Sequence, residues 1–148
     1  MASAVELEQL RGLFREYQRW VDEPCCFAGF EQELAGLPGD YAPPRGRLWL
    51  ALVNGAPAGC VALRPLDPGH CEMKRLYVRP AFRGLGLGKR LAQAVIEAAK
   101  ADGCRTLLLD TLPKMRSAIA LYAALGFAAR GAYSVQATPG ALFFERPL

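Results

Sequence analysis

The chain has 148 residues, a formal net charge of +4 with its one histidine neutral, 52% hydrophobic residues and 22% charged residues. These values exclude a disordered or fibrous chain and leave room for a single domain covering residues 1–148. A domain of this length buries roughly 70% of its unfolded surface and needs neither disulfide nor metal to hold it. No run of Lys or Arg exceeds two residues, which argues against nucleic acid as a partner and for a local basic site that takes a small anion. No apolar stretch approaches about 18 residues, so no membrane span is expected. Glu6 and Glu8 come early and no long apolar core accompanies them, so the N-terminus does not read as a signal peptide. Cysteines stand at positions 25, 26, 60, 71 and 104, an odd number without C-x-x-C spacing, beside the single His70. A zinc site is hard to build from that set. Reduced thiols in a cytoplasmic protein are the simplest expectation.

In chain order, Ser3 and Glu6 form a capping box, and Leu7, Leu10, Phe14 and Tyr17 recur at helical spacing. They predict a helix from about Ala4 to Arg19. A short second helix is expected from about Phe27 to Leu37, followed by the turn-rich "LPGDYAPPRG". The period then changes. "RLWLALV" reads as a strand, "NGA" as a hairpin turn and "AGCVALRP" as the returning strand. "LDPGH" makes another turn and "CEMKRLYV" a third strand, which Pro80 ends. A helix is expected from about Leu87 to Ala101, with Leu91, Ala94, Val95 and Ala98 on one face. "RTLLLD" reads as a strand covered on both sides. Another helix follows from about Arg116 to Leu125, and two strands lie near "FAARGAYSV" and "ALFFERPL". The sum is a mixed α/β layer, mostly antiparallel, with one strand–helix–strand crossover.

That crossover contains "RPAFRGLGLGKRL", with glycines at 84, 86 and 88. A strand that turns sharply into a helix exposes the helix's first N–H groups, which lack partners inside it and act like roughly +0.5 charge. Gly84, Gly86 and Gly88 remove the Cβ atoms that would fend off an anion and permit positive φ. Successive amides can then form an anion-binding nest, with Arg83, Lys89 and Arg90 at its rim. A plain tight turn needs only one glycine, and Leu85 and Leu87 are not linker residues. The dinucleotide fingerprint fails because position 89 is Lys rather than Gly. The Walker pattern fails because Arg83 and Arg90 stand where a glycine and a Ser or Thr should be.

The stretch Arg83-Gly84-Leu85-Gly86-Leu87-Gly88 matches [Q/R]-x-x-G-x-[G/A]. Here the sequence resembles the GCN5-related N-acetyltransferase (GNAT) family. "EMKRLYVRPAFRGLGLGKRL" is similar to that family's fourth strand, pyrophosphate loop and following helix, and "AIALYAALGF" to its later L-Y-x-x-x-G-F helix end. The resemblance covers about residues 47 to 127. It implies a GNAT-like, mostly antiparallel sheet of six to seven strands flanked by about four helices. It also implies acetyl-CoA as cofactor and acyl transfer to an amine. Two departures stand out. Only Met1 and Ala2 precede Ser3, so the family's first strand is expected to be missing or short. Met115 occupies the position of a frequent family Asn, so that role is not carried over.

Acetyl transfer to an amine requires that an alkylammonium with a pKa near 10 lose a proton, that the oxyanion meet donors and that the departing thiolate be stabilised. The resemblance implies that Glu72 is the base, acting through a water; the bland alternative is a structural Glu paired with Lys74 or Arg75. Period-two alternation puts Glu72, Lys74, Leu76 and Val78 on one face. The resemblance further implies that Leu76 and Val78 offer backbone groups to the pantetheine arm and that residues 83 to 89 (Arg83, Gly84, Leu85, Gly86, Leu87, Gly88 and Lys89) hold the diphosphate. Tyr122 sits at the family's L-Y position, as a candidate acid or a core aromatic. Cys71 faces away from Glu72 by alternation, which disfavours an acetyl-cysteine route, and His70 lies in a turn.

The acceptor, a small-molecule or peptide amine, is expected between residues 38–46 and "QATPGA", oriented by Tyr41, Arg45 and Tyr133. Arg45 and Arg47 hint at a carboxylate-bearing amine such as an amino acid. The expected activity is direct transfer in a ternary complex. A CoA-binding sensor without turnover and an O- or thioester-directed acyltransferase are the rival readings. Dimers through the last strands are common in the family, so a homodimer is a possible assembly.

Overall fold

The computed structural model describes residues 2–23, 27–134 and 139–148. Helix α1 (Ala4–Val21) starts at the expected capping box, with the Ser3 hydroxyl accepting from the Glu6 amide at 3.1 Å and Glu6 accepting from the Ser3 amide at 2.9 Å. It runs two residues beyond the expected end, to Asp22 in the left-handed region. Helix α2 (Phe30–Ala35) is shorter than expected because Gly29 and Gly36 bound it. Strands β1 (Arg47–Val53), β2 (Ala56–Asp67) and β3 (His70–Val78) form a meander, with Asn54 and Gly55 both at positive φ in the first turn. Helix α3 (Leu87–Ala101), strand β4 (Thr106–Thr111), helix α4 (Arg116–Ala124) and strands β5 (Ala128–Arg130) and β6 (Leu142–Pro147) complete the fold.

The sheet order is β1-β2-β3-β4-β6-β5. Only β3 and β4 run parallel, joined by α3 as the crossover. None of the described residues ahead of α1 joins the sheet. One face packs Leu10, Phe14, Phe30 and Leu34 of α1 and α2 against Cys60, Ala62 and Tyr77. The other packs α3 and α4 against Val61, Leu63, Met73, Leu107 and Leu109. Helices therefore cover both faces, which is why the β4 run is apolar without alternation.

Two irregularities overturn simple counting along β3. Cys60 pairs with Tyr77 but Ala62 with Lys74, so Val61 faces two residues, Arg75 and Leu76. Arg75 takes φ +60° at this bulge. The extra residue reverses the alternation: Cys71, Met73, Leu76 and Val78 pack toward α3 and α4, while Tyr77 packs toward α1 and α2. Glu72 and Lys74 therefore do not share a face with Leu76 and Val78, contrary to the period-two expectation. A second register shift, between Pro65 and Asp67, sets Arg64 directly opposite Glu72.

The expectation of reduced thiols also needs correction. Cys71 and Cys104 are joined as a disulfide across a Cα separation of 6.5 Å. Cys60 is free and buried, and Cys25 and Cys26 lie outside the described residues.

Candidate active site

Parallel pairing of β3 with β4 ends at Glu72 and Leu108, yet β3 continues to Val78 and β4 to Thr111. The strands splay beyond that point, and the β3 edge facing β4 loses its ladder partner. A cavity of about 1450 Å³ occupies the gap. Its lining includes Glu72, Leu76, Val78, Arg83, Gly84, Gly86, Leu87, Gly88, Lys89 and Tyr122. Of the expected catalytic and cofactor-binding residues only Leu85 is absent from the lining, and its side chain is exposed.

At one end stands the bend before α3. Gly84 has φ +85° and Gly86 φ +77°, and a Cβ at either would meet nothing within 4 Å. These two glycines serve backbone conformation rather than relieve crowding. Gly86 caps α3 with no side-chain hydrogen bond, so the amides of the first turn point outward without a side-chain acceptor. Gly88 is helical, and its Cα faces Leu121 and Val78 on the cavity wall. Arg83 donates from Nε to the Val78 carbonyl at 3.0 Å, and its guanidinium stacks 4.8 Å from the Trp20 ring. Bare amides, a helix N-terminus and a pinned Arg83 fit a diphosphate, and the β3 edge left by β4 fits an extended amide-bearing chain.

At the other end Glu72 is buried, with 3% of its surface exposed. One carboxylate oxygen accepts from Arg64 Nε at 2.8 Å and the other from the Tyr133 hydroxyl at 2.5 Å. The expected structural alternative, a pair with Lys74 or Arg75, is not formed: Arg75 instead donates twice to Glu33, at 2.9 and 3.0 Å. Burial, and then the adjacent Glu72 carboxylate, push the Tyr133 phenol well above its ordinary pKa. Tyr122 is a core aromatic that also reaches the cavity. Its ring packs on Phe127 at 5.7 Å and Phe144 at 6.4 Å, while the residue also lines the cavity. Burial, reinforced by Tyr17 and Asp110, raises its pKa too. Both phenols stay protonated through the neutral range.

The expected acceptor residues divide. Tyr133 is in the cavity. Tyr41 is a core residue, 3% exposed and edge-on to Phe14. Arg45 lines a separate small cavity beside Gly69 and Cys104, and Arg47 pairs with Asp102 at 3.0 Å. Residues 136–138 of the "QATPGA" loop lie outside the described residues. His70 pairs with Asp67 across the β2–β3 turn at 2.6 Å. Arg64 was missed by the sequence reading. A tight turn at Pro68-Gly69 counts Pro65, not Arg64, opposite Glu72, and only the register shift brings the arginine there.

The family model described as "Acetyltransferase (GNAT) family" matches residues 7–127. An uncharacterized N-acetyltransferase of Schizosaccharomyces pombe is 36% identical over 142 residues, covering 95% of this chain and 87% of the yeast protein. An acyl-CoA N-acyltransferase structure from Klebsiella pneumoniae superposes with a TM-score of 0.67 at 33% identity, over 82% of this chain and 86% of that one. The PaiA N-acetyltransferase of Thermoplasma acidophilum, solved with coenzyme A, shares the fold with a TM-score of 0.77 at 18% identity, over 99% of this chain and 96% of that one.

Proposed function

Because the chain belongs to the acetyltransferase (GNAT) family, whose cofactor is acetyl-CoA, we propose that it is a single-domain enzyme that acetylates a primary amine directly, with both substrates bound together. The observation that carries this reading is a single cavity with an anion cradle at one end and a buried, hydrogen-bonded carboxylate–phenol pair at the other.

Bound acetyl-CoA supplies an acetyl group activated as a thioester. The amides of Gly84 to Lys89 hold its diphosphate, with Arg83 and Lys89 at the rim; Leu85 contributes only backbone. The β3 edge that β4 leaves at Leu76 and Val78, where the Val78 carbonyl already accepts from Arg83, takes the pantetheine amides as an added strand, and its N–H groups supply donors to an acyl oxygen that gains charge. Both oxygens of Glu72 are engaged, so its basicity reaches the acceptor through Tyr133. An ammonium passes a proton to the Tyr133 oxygen as Tyr133 passes its own to Glu72. The neutral amine would then attack: the C–N bond forms, the C–S bond breaks, the nitrogen sheds its second proton, and a proton ends on the departing sulfur as the free thiol. Tyr122, held protonated, donates a hydrogen bond to the departing sulfur.

The test is release of free thiol from acetyl-CoA across a panel of primary amines. We expect amine-dependent release well above the hydrolytic background for at least one class. Tight acetyl-CoA binding with no release for any amine overturns the reading.

A further inference from the structure

The charges around Glu72 select among amines, an inference that rests on the acetyl-transfer reading above. Arg64 spends only Nε on Glu72. Its Nη1 lies 3.6 Å from Asp40, whose side chain is 80% exposed and so competes weakly for it. Lys74 lies on the same face as Glu72, two residues on, and lines the cavity. Arg130 lines it too, its guanidinium 5.7 Å from the Tyr133 ring and 3.7 Å from an oxygen of Glu145.

The opposing carboxylates are mostly spent. Glu33 is held twice by Arg75, and Asp67 is bonded to His70. Around the carboxylate–phenol pair stand Arg64, whose Nη groups Glu72 leaves free, Lys74, and Arg130, which is shared with Glu145. This cluster is separate from the cations at the glycine bend: Val78 is six positions along β3 from Glu72, at most about 20 Å of strand, with the bulge at Arg75 between them.

An amine whose only charge is its ammonium leaves the Arg64 Nη groups and Lys74 unused. A carboxylate on the same molecule engages them. We propose that the acceptor is a small amine carrying a carboxylate, an α-amino acid or close relative, whose carboxylate is held by Arg64 and Lys74 with Arg130 beside them while its amine faces the Tyr133–Glu72 pair. The class matches the hint from Arg45 and Arg47, but the residues differ: those two lie outside this cavity.

The experiment compares each amino acid with its own carboxamide and its decarboxylated amine. A charge-assisted contact of about 1.5–3 kcal/mol makes kcat/KM for the carboxylate form about tenfold to a hundredfold higher. Lys74→Gln and Arg64→Gln should each shrink that ratio. Arg64→Gln also disturbs Glu72, so the ratio, not the absolute rate, is read, and Lys74→Gln tests the clamp independently. Calorimetric binding of N-acetyl amino acids against N-acetyl amino amides needs no turnover, and it should show the same preference and the same loss in both variants. Equal or better use of carboxamides and simple amines by the wild type, or equal binding of the two N-acetyl products, overturns the proposal while leaving acetyl transfer intact. Absence of thiol release with every amine counts instead against the underlying reading, and the calorimetric comparison still decides the carboxylate question.

Discussion

At the scale of single residues, the decisive contact is the Tyr133 hydroxyl on Glu72. In the proposed mechanism this phenol passes the acceptor's proton on to the carboxylate. Glu72→Gln removes the proton sink and keeps the shape. We expect kcat to fall about a hundredfold or more while acetyl-CoA affinity is unchanged. The deficit should be greatest near pH 7 and narrow as pH approaches the amine's own pKa near 10. Tyr133→Phe should show a smaller loss with the same pH trend. Rate–pH profiles of the two variants check this, and an unaltered rate in Glu72→Gln removes the residue from the proton path. Because Tyr122 titrates above the ordinary phenol range, its ionisation should not limit the rate near pH 10.

At the scale of elements, β3 does most of the arranging, and its bulge determines how. Arg75 is drawn inward, its guanidinium 5.0 Å from the Phe27 ring and 5.2 Å from that of Phe30, with Glu33 as its counter-ion. This joins α2 to the strand. Arg75→Met strands Glu33 beside an apolar surface. Since Glu33 is a quarter exposed and can partly rehydrate, the loss should be about 2–3 kcal/mol, below that for a fully buried pair. Urea unfolding measures it, and Glu33→Gln in the same chain should recover part. The same bulge marks the limit of what the sequence could disclose. Hydrophobic period and turn residues located α3 to the residue and β1 likewise, because these depend on neighbours along the chain. The glycine bend was legible because an unusual backbone needs an unusual residue. Arg64 and the true facing of Leu76 were not, because an inserted residue changes register through pairing partners, which a single strand's pattern does not record. Tyr41 misled for a related reason: a loop tyrosine looks solvent-facing until Phe14 is brought against it.

At the scale of the whole molecule, the cavity lies between two helical layers, with residues of both in its lining. A ligand that fills it ties the layers together, and binding adds to folding stability. At a hundredfold excess over Kd the gain is about 2.7 kcal/mol, a rise in Tm of about 5–10 °C for a chain this size. Thermal melts with increasing acetyl-CoA should show this rise, and moderate salt should reduce it because a diphosphate is bound electrostatically. Gly86→Glu should melt lower without ligand, since φ +77° costs a side-chain-bearing residue about 1–2 kcal/mol. It should also gain nothing from acetyl-CoA. A normal ligand-induced rise in that variant places the diphosphate elsewhere.

The stacking of Arg83 on Trp20 has one more consequence. The chain contains two tryptophans, and this one is 45% exposed, at the end of α1 against the very arginine that borders the glycine bend. Whatever settles on that arginine changes the electrical surroundings of the indole, so the native protein carries its own optical reporter of occupancy, with no dye or label attached.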